Sequence, residues 1–133
     1  MISQLRGTVV GTGPMEVVVD CAGVGYAVSV PLSTLDHVPQ SGENVTLLTI
    51  PAVRDAAMQL YGFLSTAERE AFRLLTSIQG VGGRTALGIL SASSLPQLRQ
   101  SIATQNVAAL QRLPGIGKKT AERFAFDLLE WER

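Results

Sequence analysis

The chain has 133 residues, 46% of them hydrophobic, which is enough material for one domain or two small ones. Its single cysteine, Cys21, excludes a disulfide framework and a cysteine-built zinc or iron–sulfur site, and its single histidine, His37, leaves a histidine metal cluster without support. The sequence shows no signal peptide and no apolar run of membrane-spanning length, so we expect a cytoplasmic protein without a cofactor and without membrane contact.

The formal net charge is zero, but the two halves of the chain differ in charge. Residues 1–63 carry two basic and five acidic residues, whereas residues 64–133 carry nine basic and six acidic residues. From Gly80 to Arg123, six basic residues accompany a single acid, Glu122. This asymmetry predicts a polyanionic partner for the second half. A solvated helix face is the alternative interpretation of the charge alone.

The first 63 residues have the pattern of a small β domain, in which short runs rich in Val, Ile and Leu alternate with Gly and Pro turns. Five strands at this spacing predict an oligonucleotide-binding (OB) type barrel, although an SH3-like barrel would fit the same count. Ser33 is predicted to cap a short helix, Thr34–Val38, between strands. The predicted strands are Ile2–Val10, Met15–Asp20, Val24–Val30, Val45–Ile50 and Met58–Phe63.

The hydrophobic period changes at Ser65, where the residues Ser-Thr-Ala-Glu form the capping-box pattern of a helix start. Ser94 and Asn106 occupy two further N-cap positions. We therefore predict an α+β protein with two domains, a barrel over residues 1–63 and an all-helical domain over residues 64–133. The other predicted helices are Arg84–Leu90, Leu95–Thr104, Val107–Leu113 and Lys118–Glu132.

The helical half contains an internal repeat with an offset of 35 residues. Residues 75–86, LTSIQGVGGRTA, align without gaps on residues 110–121, LQRLPGIGKKTA. The leucine, both glycines, the threonine and the alanine are identical in the two copies. Each copy has the end of an apolar helix, a Gly-apolar-Gly turn, one or two basic residues, and Thr-Ala opening another helix.

This unit is the helix-hairpin-helix motif, and each part of it has a physical role. The glycines allow a sharp reversal with positive φ and let backbone amides approach a ligand. The next helix directs its free amides and the positive end of its dipole to the same place, which makes an anion site suited to phosphate. Val81 and Ile116 are expected to insert between the flanking helices. One copy would equally fit a glycine-capped helix end, but two copies in register predict sequence-independent binding to DNA backbones.

Further sequence features match one known family along the whole chain. They are Leu5-Arg6-Gly7, Gly23-Val-Gly-Tyr26, Val53-Arg54-Asp55, Leu60-Tyr-Gly-Phe63 and both hairpins, in this order. Through these residues the chain, from Met1 to about Arg133, resembles the RuvA family. The resemblance implies an OB-fold domain, a helical domain and no enzymatic activity of its own. It also implies a homotetramer that holds four-way (Holliday) DNA junctions open for branch migration by a RuvB-type ATPase, in recombination and repair.

The resemblance also assigns roles to individual residues. Arg54 and Asp55 match the acidic pin, a turn that the family places at the tetramer centre, where negative charge repels the phosphates at the crossover. Phosphate contacts are implied for Gly80, Val81, Gly82, Arg84, Gly115, Ile116, Gly117, Lys118, Lys119 and Arg123.

Three features depart from the family pattern. Ala56 follows Asp55 where the family commonly has a second acid, which halves the charge of the pin. Gly83 stands where the first hairpin usually has proline, which loosens that turn slightly. The chain ends at Arg133, so we expect the linker and the third domain that recruits the ATPase to be missing. The resemblance leaves open whether one tetramer or two bind a junction.

The sequence fits other functions less well. Lys118 would fill the catalytic lysine position of a helix-hairpin-helix glycosylase, but Asp127 comes too early to be its aspartate. A hairpin module of a repair nuclease or helicase, or a protein-interaction domain, would contain similar helices. No Gly-x-x-x-x-Gly-Lys-Ser/Thr loop occurs in the sequence, so the chain supplies no ATP-driven motor. Tyr26, Tyr61 and Phe63 are expected in the core or an interface rather than as base-stacking platforms.

Overall fold

The computed structural model describes residues 2–54 and 56–132. The chain divides into two units, Met1–Arg69 and Glu70–Arg133. The first unit contains a β barrel, a single-turn helix, α1 (Leu32–Leu35), and the first turn of the helix that leads into the second unit, which is helical. The predicted α+β class is therefore confirmed.

Five strands close into a barrel in the order β1-β2-β3-β5-β4. Neighbouring strands are antiparallel, except that β3 and β5 pair in parallel. The predicted five-stranded barrel of OB type is confirmed by this closed order. The strands are β1 (Gln4–Gly13), β2 (Glu16–Cys21), β3 (Val24–Ser29), β4 (Asn44–Arg54) and β5 (Ala57–Phe63).

The strand bounds depart most from prediction at β4, which continues to Arg54 instead of ending at Ile50. Pro51 is typical of a strand break, yet it lies opposite Leu60 within the β4–β5 ladder. Proline has no amide hydrogen, so a strand accepts it only where the ladder does not require that donor. The β4–β5 ladder extends to the pair of Arg54 and Ala57. β1 likewise runs past its predicted end, through a bulge.

Alternate residues of the barrel strands point inward and form the core, as the period of two in a β-strand requires. Val17 and Leu47 are completely buried within it. Tyr61 and Phe63 are also buried, and Tyr26 is half-buried against the same core. The expectation that these three rings serve packing rather than base stacking is confirmed for Tyr61 and Phe63 by their burial.

The helix predicted at Thr34–Val38, with Ser33 as its cap, is wrong in position. α1 begins at Leu32 with Pro31 as its N-cap, and no side chain caps this end. The Ser33 hydroxyl donates instead to Oε2 of Glu68, at 2.6 Å and 35 residues away in sequence. The Ser33 hydroxyl therefore binds a residue distant in sequence and does not cap the helix, although the local sequence pattern predicts that it does.

The predicted N-caps Ser94 and Asn106 are confirmed. The Gln97 amide donates to Ser94 Oγ at 3.3 Å, and the Gln97 side chain accepts from the Ser94 amide, which completes a capping box. Asn106 Oδ1 accepts from the Ala109 amide at 3.1 Å. The single helix predicted at Lys118–Glu132 is wrong in its second part, which forms a separate 3-10 helix. The helices are α2 (Thr66–Thr76), α3 (Gly83–Ala92), α4 (Leu95–Ala103), α5 (Val107–Gln111), α6 (Lys118–Asp127) and a 3-10 helix (Leu129–Glu132).

Across residues 2–54 and 56–132, none of the helices has both the length and the apolar character needed to cross a membrane.

Candidate nucleic-acid interface

The two copies of the sequence repeat have the same backbone hydrogen bonds, and we call them hairpin 1 (residues 75–86) and hairpin 2 (residues 110–121). In hairpin 1 the Val81 amide donates to the carbonyl three residues earlier at 3.1 Å. In hairpin 2 the Ile116 amide makes the equivalent bond at 3.2 Å. The repeat seen in the sequence is therefore a repeat of turn geometry.

Apolar residues anchor both turns in the helical unit. Val81 and Ile116 are each only 6% exposed, which confirms their expected insertion into the core. Ala86 and Ala121, the alanines that close each copy of the repeat, are completely buried. The glycines on either side of Val81 and Ile116 are exposed, so each turn holds its backbone at the surface while its apolar residues fix it from below.

The first glycine of each hairpin is required by backbone conformation. Gly80 has φ +93° and Gly115 has φ +76°, in the left-handed region that residues with a Cβ rarely adopt. These two glycines therefore make the sharp reversal predicted from the sequence.

The second glycine of each hairpin has only one of the two roles predicted for the glycines, because it does not make the sharp reversal. Gly82 (φ −94°, ψ 179°) and Gly117 (φ −89°, ψ −177°) are extended, a conformation open to any residue. A Cβ placed on either one would meet nothing within 4 Å. Neither backbone strain nor crowding in the free chain demands glycine here. What the missing side chain provides is open space in front of the next helix.

The second helix of each hairpin, α3 in hairpin 1 and α6 in hairpin 2, begins with amides that have no intrahelical acceptor. The first helical hydrogen bond of α3 runs from the Ala86 amide to Gly82 at 3.0 Å, and that of α6 from the Ala121 amide to Gly117 at 2.9 Å. The amides before these donors have no acceptor within the helix. The glycine N-caps supply no side-chain oxygen to cover them. Free donors and the positive end of the helix dipole thus coincide at an open surface, which is the arrangement that binds anions.

Basic side chains stand beside these amides. Arg84 is the second residue of α3, and Lys118 and Lys119 are the first two residues of α6. All three are exposed, and none has a hydrogen-bond or salt-bridge partner within the part of the chain that the structure describes. At the start of the helix that closes it, hairpin 2 therefore presents two uncommitted cations and hairpin 1 presents one.

Arg123, the fourth cation of the predicted set, is placed differently. It is half-buried on α6, and its Nη1 donates to the carbonyl of Gln79 at 3.1 Å, 44 residues away in sequence. Gln79 directly precedes Gly80 in the turn of hairpin 1. Sequence reasoning missed this partner because a carbonyl acceptor has no side-chain signature.

The acidic pin is predicted at Arg54 and Asp55, of which only Arg54 belongs to the described residues. Arg54 ends β4. Ala56 has φ +63°, a left-handed conformation unusual for alanine. The cross-strand pair Val53 and Met58 is 75% and 62% exposed. The role of the pin stays a prediction.

Among the described residues, no group of three or more His, Cys, Asp or Glu is arranged to hold a metal ion. Cys21 is half-buried against the barrel core. His37 is exposed just after α1, where its Nδ1 lies 2.9 Å from the carbonyl oxygen of Ser33. Cys21 therefore contributes to the packing of the barrel, and His37 is a surface residue next to the end of α1.

Comparison with protein families matches both parts of the chain. The family described as RuvA N terminal domain matches residues 1–62, and the family described as SAM-like helix-hairpin-helix tandem matches residues 72–128. The first match covers the barrel strands except for the last residue of β5, and the second covers both hairpins.

Several curated proteins are similar to nearly the whole chain. A Holliday junction branch migration complex subunit RuvA of Polynucleobacter necessarius subsp. necessarius (strain STIR1) is 51% identical over 128 residues. Proteins with the same description are 50% identical in Burkholderia mallei (strain SAVP1) and 48% identical in Ralstonia pickettii (strain 12J). Each match covers 96% of this chain but 66% of the relative, so the chain spans just under two thirds of the length of these relatives.

Proposed function

The chain belongs to the RuvA family, and from this premise we propose that it binds four-way DNA junctions as a homotetramer and holds them open for branch migration by a separate RuvB-type ATPase. The observation that carries the proposal is the pair of hairpins with equivalent turns, each presenting helix amides without intrahelical acceptors beside exposed cations. In this role the chain is a DNA-binding subunit without catalytic residues of its own.

Each hairpin would bind a phosphate of the DNA backbone. The open space in front of Gly82 and Gly117 lets a phosphate oxygen reach the amides, and the neighbouring cations neutralise its charge. Because phosphates are the same at every base pair, such binding is independent of sequence. The proposed phosphate-binding residues are Gly80, Val81, Gly82 and Arg84 in hairpin 1, and Gly115, Ile116, Gly117, Lys118 and Lys119 in hairpin 2.

We assign the subunit interface of the tetramer to the barrel unit. Val10 and Val24 are 57% and 54% exposed there, and the chain is 46% hydrophobic, which is high for a small monomer. Four symmetric copies would engage the four arms of a junction at once. Multivalent engagement raises affinity for the junction over linear duplex without any additional contact.

Two parts of the proposal rest on the family alone. The relatives are longer than this chain, and we assign recruitment of the ATPase to the part of them that these residues do not span. We assign Asp55 the role of the acidic pin, with Ala56 in place of a second acid. One carboxylate per protomer would place about half the usual charge at the crossover.

The proposal is tested by mass in solution and by DNA affinity on the same preparation. Sedimentation equilibrium should give a tetramer, and gel shifts should show tighter binding to an immobile four-way junction than to a linear duplex of equal length. Junctions of unrelated base sequence should bind equally well. A monomer with the same affinity for junction and duplex would refute the proposal.

A further inference from the structure

The two hairpins approach each other at equivalent positions. A Cβ placed on Gly80 would lie 3.8 Å from Oγ1 of Thr120, and one placed on Gly115 would lie 3.2 Å from Cγ2 of Thr85. Gly80 and Gly115 are equivalent positions of the repeat, and so are Thr85 and Thr120. The threonine of each hairpin thus lies beside the first glycine of the other.

A second pair of equivalent contacts breaks this symmetry. Arg123 donates to the carbonyl of Gln79 at 3.1 Å. The positions equivalent to these two residues are Gly88 and Pro114, and a Cβ on Gly88 would lie 3.8 Å from Cβ of Pro114. The turn of hairpin 1 therefore receives a charged hydrogen bond, whereas hairpin 2 has at the equivalent place only a glycine, without a side chain, beside Pro114.

The sequence of each turn explains why only one of them needs a hydrogen bond. In hairpin 2, Pro114 fixes its own φ and restricts the residue before it, so the turn is stiff in the unfolded chain as well as in the folded one. Hairpin 1 has Gln79 at that position and an additional glycine, Gly83, so its turn has more conformational freedom. The hydrogen bond from the Arg123 guanidinium to the Gln79 carbonyl restricts this turn, although Arg123 itself lies outside it.

We propose that Arg123 is a positioning residue for hairpin 1, which fixes the turn that carries the first set of phosphate-binding amides, although Arg123 itself lies on the helix that follows hairpin 2. The inference deepens the proposed function and rests on it wherever DNA is the readout. It changes the role of Arg123 from a phosphate contact, as the family resemblance implies, to a tether between the two hairpins.

The first test measures the tether in the free protein, so that it does not depend on DNA binding. Arg123→Ala should shift the NMR signals of the Gly80 and Val81 amides and speed their hydrogen exchange, while the amides of Ile116 and Gly117 stay unchanged. Arg73→Ala is the matched control, since it removes an exposed arginine of the same unit whose partner is Glu70. Equal changes at both hairpins, or none at hairpin 1, would overturn the proposal whether or not the protein binds DNA.

The second test asks which hairpin Arg123 serves during junction binding. Gly82→Ala disables hairpin 1 and Gly117→Ala disables hairpin 2, and both Cβ atoms fit the free chain. Arg123→Ala should weaken junction binding about tenfold in the wild-type and Gly117→Ala backgrounds and have little further effect in Gly82→Ala. The reason is that the effects of two substitutions in the same structure are not additive, and the interaction energy between them corresponds to about this factor in affinity. The reverse pattern, or equal losses in both backgrounds, would show that Arg123 binds phosphate directly.

The third test removes the Arg123 hydrogen bond and stiffens the turn of hairpin 1 with a proline instead. Gln79→Pro gives hairpin 1 the residue that hairpin 2 has at the same position, and it keeps the backbone carbonyl. Added to Arg123→Ala, it should restore most of the lost affinity and slow the exchange of the Gly80 amide, although no charge returns. If the Gln79→Pro/Arg123→Ala variant folds and still binds as weakly as Arg123→Ala, Arg123 acts through its charge and the proposal fails. Junction binding absent already in the wild type would refute the proposed function, while the exchange data would still decide the tether.

Discussion

Hairpin 1 contains three glycines, no proline and one cation at the start of the next helix, whereas hairpin 2 contains two glycines, Pro114 and two lysines there. Both nevertheless have a left-handed first glycine, an extended second glycine and a buried aliphatic residue between them. The same backbone is thus specified in two ways. Local stiffness fixes hairpin 2, and a bond from a distant side chain helps to fix hairpin 1.

The largest expected effect concerns phosphate access, and it should differ between the hairpins. Gly117→Ala should weaken junction binding roughly a hundredfold and Gly82→Ala roughly tenfold, the range that lost hydrogen bonds to a charged group cover. Hairpin 2 should lose more because two lysines act together with its amides. Junction affinity is measured by gel shift. Circular dichroism should show that both variants fold, because neither Cβ meets an obstacle and a poorer N-cap costs only about 1 kcal/mol.

Equal losses of junction affinity in the two variants would show that the additional lysine of hairpin 2 does not make it the stronger phosphate site. Unchanged affinity in a folded variant would contradict the phosphate site itself.

The next effect concerns stability and the first glycines. Gly115→Ala and Gly80→Ala force an L-residue into the left-handed region, which costs roughly 1–2 kcal/mol of unfolding free energy. Gly115→Ala should lose more, because its Cβ would lie 3.2 Å from Thr85, compared with 3.8 Å from Thr120 for Gly80. Urea unfolding measures both losses. Alanine tolerated at either position without loss would mean that the reversal does not depend on glycine.

The smallest effect concerns salt. The affinity of a phosphate-binding protein falls by about 0.9 log units per log unit of salt for each phosphate neutralised. Arg84→Ala should lower that slope by about one phosphate per bound protomer, and the Lys118→Ala/Lys119→Ala double variant by about two. Fluorescence anisotropy with a labelled junction at a series of salt concentrations measures the slope. Identical slopes in the wild type and both variants would exclude these side chains from phosphate contact.

Most of the geometry of the candidate site could be predicted from the sequence, because its determinants lie close together along the chain. The offset of 35 residues aligned both glycines of each hairpin, and the burial of Val81 and Ile116 followed from their apolar character within a polar turn. The caps at Ser94 and Asn106 depend on residues three positions away, within the reach of a local pattern. Local signals of this kind identified the motif and its neighbours.

The rest could not be predicted because it depends on contacts between distant residues. Cross-strand pairing carries β4 through Pro51, and Glu68 takes the hydroxyl of Ser33. Arg123 donates its hydrogen bond to a backbone carbonyl, and because every residue has one, the sequence contains no signal for this partner. For the second glycines the predicted positive φ is wrong, since both are extended, and only their backbone angles show that the turn itself does not require them.

One further contact makes the helical unit spectroscopically distinct. The chain has a single tryptophan, Trp131, whose ring lies 4.8 Å from the guanidinium carbon of Arg99 on α4. Indole fluorescence therefore comes from the second unit alone, where it monitors the attachment of the last 3-10 segment to α4. The barrel contains both tyrosines and no tryptophan. Selective excitation of tryptophan, compared with far-ultraviolet circular dichroism of the whole chain, thus distinguishes melting of the hairpin-bearing unit alone from melting of the entire molecule.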